Sequence, residues 1–139
     1  MRRLGSAWTL AGLIVLASAA AGCGGGPEIA SVKGRVTMDG KPLANATVVF
    51  VPENGRPAGA TTDADGYYVL NFSRGRRGAI PGKNMVRFTT LRDATPGEDG
   101  KSIPGSPETI PPKYNAESTL EFMVEPNKNN IANFDLKSS

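Results

Sequence analysis

Histidine is absent from all 139 residues, and with it the commonest general base and metal ligand. Cysteine occurs once, at Cys23, which excludes an intramolecular disulfide and any zinc site built from thiolates. Tryptophan also occurs once, at Trp8, and aromatic residues make up only 6% of the chain. Charge of either sign is scarce in excess: 16 basic against 13 acidic residues give +3. Removing residues 1–22 takes away Arg2 and Arg3 and leaves +1. A surface so nearly neutral gives no electrostatic ground for binding nucleic acid.

What is present is turn chemistry. The chain holds 17 glycines and 11 prolines, with an apolar content of 39%. That is too many turn formers for a helical protein and too much apolar residue for general disorder. Short β-strands joined by many turns fit both facts, and the length predicts one domain.

The first residues carry a message of their own. Met1-Arg2-Arg3 is a positive start, residues 8–21 are uncharged and rich in Leu, Ile, Val and Ala, and Ala20-Ala21-Gly22-Cys23 ends the run. This is the pattern of an export signal, too short for a confident membrane span. It resembles a bacterial lipoprotein signal, with Ala20 where Leu is commoner. The resemblance implies cleavage between Gly22 and Cys23 and acylation of the Cys23 thiol. The other readings are a plain signal peptide cut near Ala21 and an uncleaved anchor. The expected organisation is a signal peptide over 1–22, a lipidated Cys with a Gly-rich tether over 23–28, and a β-domain over 29–137.

Alternation of apolar and polar residues, the mark of a half-buried strand, recurs along that domain. In residues 31–38, Val32, Gly34, Val36 and Met38 share one side, and Asp39-Gly40 turns the chain. Residues 47–51 are apolar on both faces, which predicts a central strand ended by Pro52. Residues 57–62 suit a short edge strand. Residues 67–72 predict a strand with Tyr68, Leu70 and Phe72 inward, and residues 84–91 another with Val86 and Phe88 inward. Residues 92–118 hold five prolines and no period, which predicts a long loop, a kind that is usually functional or mobile. Residues 119–125 and 131–136 close the set, with Leu120, Phe122, Val124, Phe134 and Leu136 inward. Seven strands and no helix after the signal predict an all-β, antiparallel sandwich.

The run Val32-x-Gly34-x-Val36, Asp39-Gly40-x-Pro42-Leu43, Ala46-x-Val48-x-Phe50 and Thr62-Asp63-x-Asp65-Gly66-x-Tyr68-x-Leu70 resembles the carboxypeptidase regulatory-like domain. The resemblance covers nearly the whole chain after residue 22. It implies a transthyretin-like (prealbumin-like), seven-stranded Greek-key β-sandwich and an accessory module rather than a catalyst. Two enzyme groups on related sandwiches, hydroxyisourate hydrolases and ring-cleaving dioxygenases, rely on histidines, which this chain lacks. No cofactor is expected.

Candidate sites are few. Asp63-x-Asp65-Gly66 looks like part of a calcium loop. With Asp63 first, however, position twelve is Arg74, and with Asp63 third it is Phe72. No metal is expected, and Gly40, Asp63, Asp65 and Gly66 read as turn residues. Arg74, Arg76 and Arg77, together with Lys83, read either as a solvated basic loop or as a cluster for carboxylate or phosphate groups. Tyr114 beside Lys113 reads either as an exposed contact or as a cover over a sheet edge. The expected function is non-catalytic. A lipid-anchored envelope module would bind membrane lipid through acylated Cys23 and contact another envelope or surface protein. The alternative is a polysaccharide-binding module of starch-binding-like type.

Overall fold

A computed structural model describes residues 27–138. The readings placed on the signal peptide, on Gly22 and Cys23, and on Gly24 to Gly26 lie outside the described residues. No helix among the described residues is long and apolar enough to cross a membrane.

The described chain is all-β. In order it forms β1 (Val32–Met38), β2 (Lys41–Pro42), β3 (Thr47–Pro52), β4 (Ala58–Thr61), β5 (Tyr67–Val69), β6 (Asn71–Ser73) and β7 (Arg76–Arg77). It continues with β8 (Gly82–Thr89), β9 (Thr95–Pro96), β10 (Ser102–Ile103), a 3-10 turn (Pro112–Tyr114), β11 (Glu121–Val124), β12 (Asn130–Ile131) and β13 (Phe134–Leu136). These strands make sheets of five, six and two strands.

The five-stranded sheet is built around β1, which has β5 and β2 along one edge and β12 then β13 along the other. The six-stranded sheet runs β11-β8-β3-β4-β6-β7. Their inner faces share one core: Val32, Val36 and Tyr68 from the first meet Phe50, Val86 and Phe88 from the second. Burying each such side chain stabilises by roughly 1.5–3 kcal/mol. Phe134 of β13 joins the layers, with its ring 5.2 Å from Phe88 and 6.3 Å from Phe50, both edge-on. Edge-on pairs of this kind are the favoured arrangement of aromatic quadrupoles.

Five expectations need correction. The 67–72 run is two strands, because at buried Leu70 the chain leaves the five-stranded sheet and enters the six-stranded one. Leu70 N–H donates to Val32 O while its carbonyl accepts from Gly78 N–H, so one residue is bonded into both layers. The 131–136 run is likewise split. β12 and β13 pair with β1 in parallel, so the sandwich is not wholly antiparallel. The parallel direction follows from the crossing between β11 and β12, which carries the chain from one sheet to the other. Buried Asn130 fixes that crossing by donating to Ser31, Glu125 and Lys128 carbonyls and accepting from Glu125 N–H.

The strand at β4 is not an edge, since it lies between β3 and β6. Finally, residues 92–118 are not structureless. They contain the β9–β10 hairpin, the 3-10 turn and a bridge between Arg92 and Ser106.

Candidate functional site

The basic loop is a hairpin of β6 and β7 with Arg74 and Gly75 at its tip. Gly75 takes φ 71°, the left-handed region that lets the chain reverse there. Arg76 folds back over the Phe72 ring at 5.5 Å and donates to the Pro27 carbonyl at 2.6 Å. Arg56, from the β3–β4 turn, lies 5.9 Å from the same ring. Arg74 and Arg77 are exposed. Among the described residues none of these four guanidinium groups forms an ion pair. Lys83 does not join them: it pairs with Glu121 at 3.3 Å and Glu53 at 3.9 Å on the outer face of the six-stranded sheet.

Tyr114 is half-buried against the core, and its hydroxyl accepts from Lys137 N–H just past β13. Lys113 places its ammonium 5.1 Å from the ring. The aromatic that faces solvent is instead Tyr67, 53% exposed, with the Arg35 guanidinium 5.2 Å from its centre. Sequence alternation does mark Tyr67 as outward, opposite Tyr68; what it omits is Arg35 across the β1–β5 ladder.

The turn residues are tied into the backbone. Asp63 Oδ1 accepts from Asp65 N–H and Tyr67 N–H, both at 2.9 Å, and Asp63 O accepts from Gly66 N–H. Asp65 offers its carbonyl to Arg35 Nε. Gly66 at φ 83° and Gly40 at φ 81° occupy the left-handed region, and Asp39 beside Gly40 does so too, at 52°. Two successive residues of this kind make the tight hairpin joining β1 to β2. No group of three or more His, Cys, Asp or Glu side chains placed to hold a metal occurs among the described residues.

Glu108 is a centre that the sequence does not reveal. Its carboxylate accepts from the Thr89 hydroxyl, Thr90 N–H at 2.9 Å, Ile110 N–H at 3.1 Å and Asn115 Nδ2 at 2.7 Å. Partial burial works against the charge, but these donors, led by the Thr89 hydroxyl, outweigh it and hold the carboxyl down at about 2. The long loop is thereby fastened to the end of β8. Asp39 is also lowered, by the hydrogen bonds from Ser138, whereas burial pushes the Tyr68 hydroxyl well up.

The outer face of the six-stranded sheet carries a cavity of about 310 Å³ floored by Val51 and Met85 and bordered by Glu53, Lys83, Arg87 and Glu121. The β3–β8–β11 register sets these side by side, with Val51 opposite Met85 and Met85 opposite Glu121. Next to it Met123 is 60% exposed on β11, a strand that pairs on one side only among the described residues.

No family model matches the chain, and no curated protein matches it. Among solved structures, a 9R-lipoxygenase from Cyanothece PCC8801 aligns at a TM-score of 0.41 and 16% identity. The alignment covers 79% of this chain and 16% of the lipoxygenase chain.

Proposed function

We propose that this protein is a non-catalytic, lipid-anchored module of the bacterial cell envelope that docks another envelope or surface protein on its six-stranded sheet. The observation that carries the reading is Met123, standing exposed on the β11 edge beside the Val51–Met85 cavity. A sheet edge offers main-chain hydrogen bonds to an added strand, and an adjoining apolar depression offers a place for its side chains. The charged border of Glu53, Lys83 and Glu121 would set orientation. Support for a non-catalytic role comes from how the acidic groups are used. Glu108, Asp63 and Asp39 each accept from backbone amides of their own chain. The sequence resemblance implies a transthyretin-like, seven-stranded Greek-key sandwich, and of that the two sheets around one core support the layered arrangement alone.

The test is crosslinking in cells followed by mass spectrometry of the captured complexes. One stoichiometric envelope protein should be recovered, and Met123→Arg combined with Met85→Arg should abolish it. Recovery unchanged by both substitutions would remove this surface from consideration. A second reading, polysaccharide binding, is favoured by the open Tyr67 ring with Arg35 beside it. Saturable binding on a glycan array that disappears in Tyr67→Ala would select it.

A further inference from the structure

We infer that the outer face of the five-stranded sheet, at the end where Pro27 enters, together with the Arg74–Arg76–Arg77 hairpin, is a docking surface for an anionic lipid bilayer. The inference rests on the reading of Cys23 as the lipid anchor and adds to it an orientation: which face lies on the membrane.

Three observations converge on that end. The first is proximity. Three residues separate Cys23 from Pro27, so the four steps along the chain reach at most about 14 Å at ~3.5 Å per residue. The Pro27 carbonyl is itself held by Arg76 at 2.6 Å, so the basic hairpin sits where the tether joins the domain.

The second is the character of the sheet face beside it. The β1–β5 and β1–β12 registers place Lys33 between Val69 and Ile131, and Arg35 beside Tyr67 in the next row. Val69 is 47% exposed and Ile131 54%. Exposed aliphatic side chains, an aromatic ring and cations on one surface are what an interfacial membrane site needs. The apolar groups enter the headgroup boundary and the cations meet phosphates.

The third is a bias of charge along β1. At its start stand Arg56, Arg74, Arg76 and Arg77 without ion pairs among the described residues. At its other end stand Asp39 and the turn of Asp63 and Asp65, whose Gly66 carbonyl accepts from Val36 N–H, with Lys41, Lys113 and Lys137 interspersed among these acids. Beyond them the β9–β10 hairpin carries Glu98 and Asp99 at its tip. An anionic surface would therefore attract the tether end, with its four arginines unpaired among the described residues, more strongly than the mixed-charge opposite one. With the five-stranded face toward lipid, the six-stranded face with Met123 points away from it, open to a partner.

The experiment uses the native lipidated protein. Because acylation blocks Cys23, a cysteine introduced as Val69→Cys or Ile131→Cys is the only free thiol, and it is labelled with a fluorophore sensitive to polarity. Met123→Cys serves as the control on the opposite face. Each protein is reconstituted in phosphatidylglycerol-rich vesicles and in vesicles of phosphatidylcholine alone. Circular dichroism confirms that strand content is unchanged.

The Val69 and Ile131 labels should shift to the blue and resist an aqueous quencher in the anionic vesicles only, while the Met123 label stays quenchable in both. Replacing Arg74, Arg76 and Arg77 with Ala should weaken docking on the order of 100-fold, since each basic residue near an anionic surface contributes about a fivefold factor. Equal quenching of all three labels in an acylated protein would leave the anchor standing and overturn the docked face. Intact mass showing an unmodified Cys23 would overturn the anchor and this inference with it. A blue shift produced by a soluble acidic polysaccharide instead of anionic lipid would reassign the surface to that polymer.

Discussion

The Tyr68 hydroxyl donates to the Ala132 carbonyl at 2.5 Å, over Gly34, whose missing side chain makes room for the contact. Ala132 is the residue at which the C-terminal run breaks between β12 and β13, and its N–H donates to Lys33 O. The bond therefore holds the last crossing of the chain against β1 and β5. A Cβ on Gly34 would overlap the Ala132 carbonyl oxygen, which is backbone and cannot swing aside. Gly34→Ala should cost about 3 kcal/mol, the upper part of the range for overpacking. Tyr68→Phe should cost about 1–3 kcal/mol by leaving a buried carbonyl without its donor. Both changes act on the same carbonyl, so the double variant should lose less than the sum. Urea unfolding of the four proteins measures this, and strict additivity would show that the two residues are independent.

Glu108 predicts an acid-sensitive loop. Its carboxyl is held at about 2 in the folded protein, against an ordinary value of 4.5. The folded state favours the charged form, so the contribution to stability is complete above about pH 4.5 and fades as pH falls toward 2. Glu108→Gln should lower the urea midpoint at pH 7. The gap between variant and parent should then narrow on acidification through that window. A gap of constant size from pH 7 to pH 2 would mean that the charge on Glu108 is not what the threonines hold.

Period-two alternation made the strands themselves legible. Val32 and Val36, Val48 and Phe50, and Val86 and Phe88 are buried as their spacing implies. Alternation says only which face a residue takes, however, and not which sheet its strand joins. Nothing in Tyr67 to Phe72 marks Leu70 as a crossing point, because an inward residue looks the same in either layer. Asn133 shows the same limit at the other break. Its side-chain oxygen accepts from Arg35 N–H, replacing a backbone partner, and an exposed Asn within a strand pattern gives no sign of that. Glu108 lay beyond reach for a different reason. Its partners Thr89 and Thr90 are 19 and 18 residues away, across a proline-rich stretch without any period.

Phe134 should be worth more than its half-buried surface suggests, because it is the ring that touches Phe50 and Phe88 from the opposite sheet. Phe134→Ala is expected to cost about 3 kcal/mol, the lower end of the range for a lost aromatic. Phe134→Leu should recover much of the volume but not the edge-on geometry, leaving a loss of about 1 kcal/mol. Thermal unfolding of the three proteins would rank them in that order. Equal midpoints for the Ala and Leu variants would mean that packing volume at this position does not matter.

The anchor makes the plainest demand on the whole chain. If Cys23 carries two or three acyl chains, each buried methylene contributes about 0.8 kcal/mol and the protein stays with the membrane until detergent is added. No other cysteine exists to take over that role. Cys23→Ser should therefore abolish the mass added by acylation and block processing by the lipoprotein route. Any product cut after Ala21 or nearby should appear in the soluble fraction. A precursor that keeps residues 1–22 would remain membrane-bound and run larger, so electrophoretic mobility must be read beside the fractionation. A Cys23→Ser protein of unchanged mobility, still extracted only by detergent, would show that something other than this thiol holds the domain to the envelope.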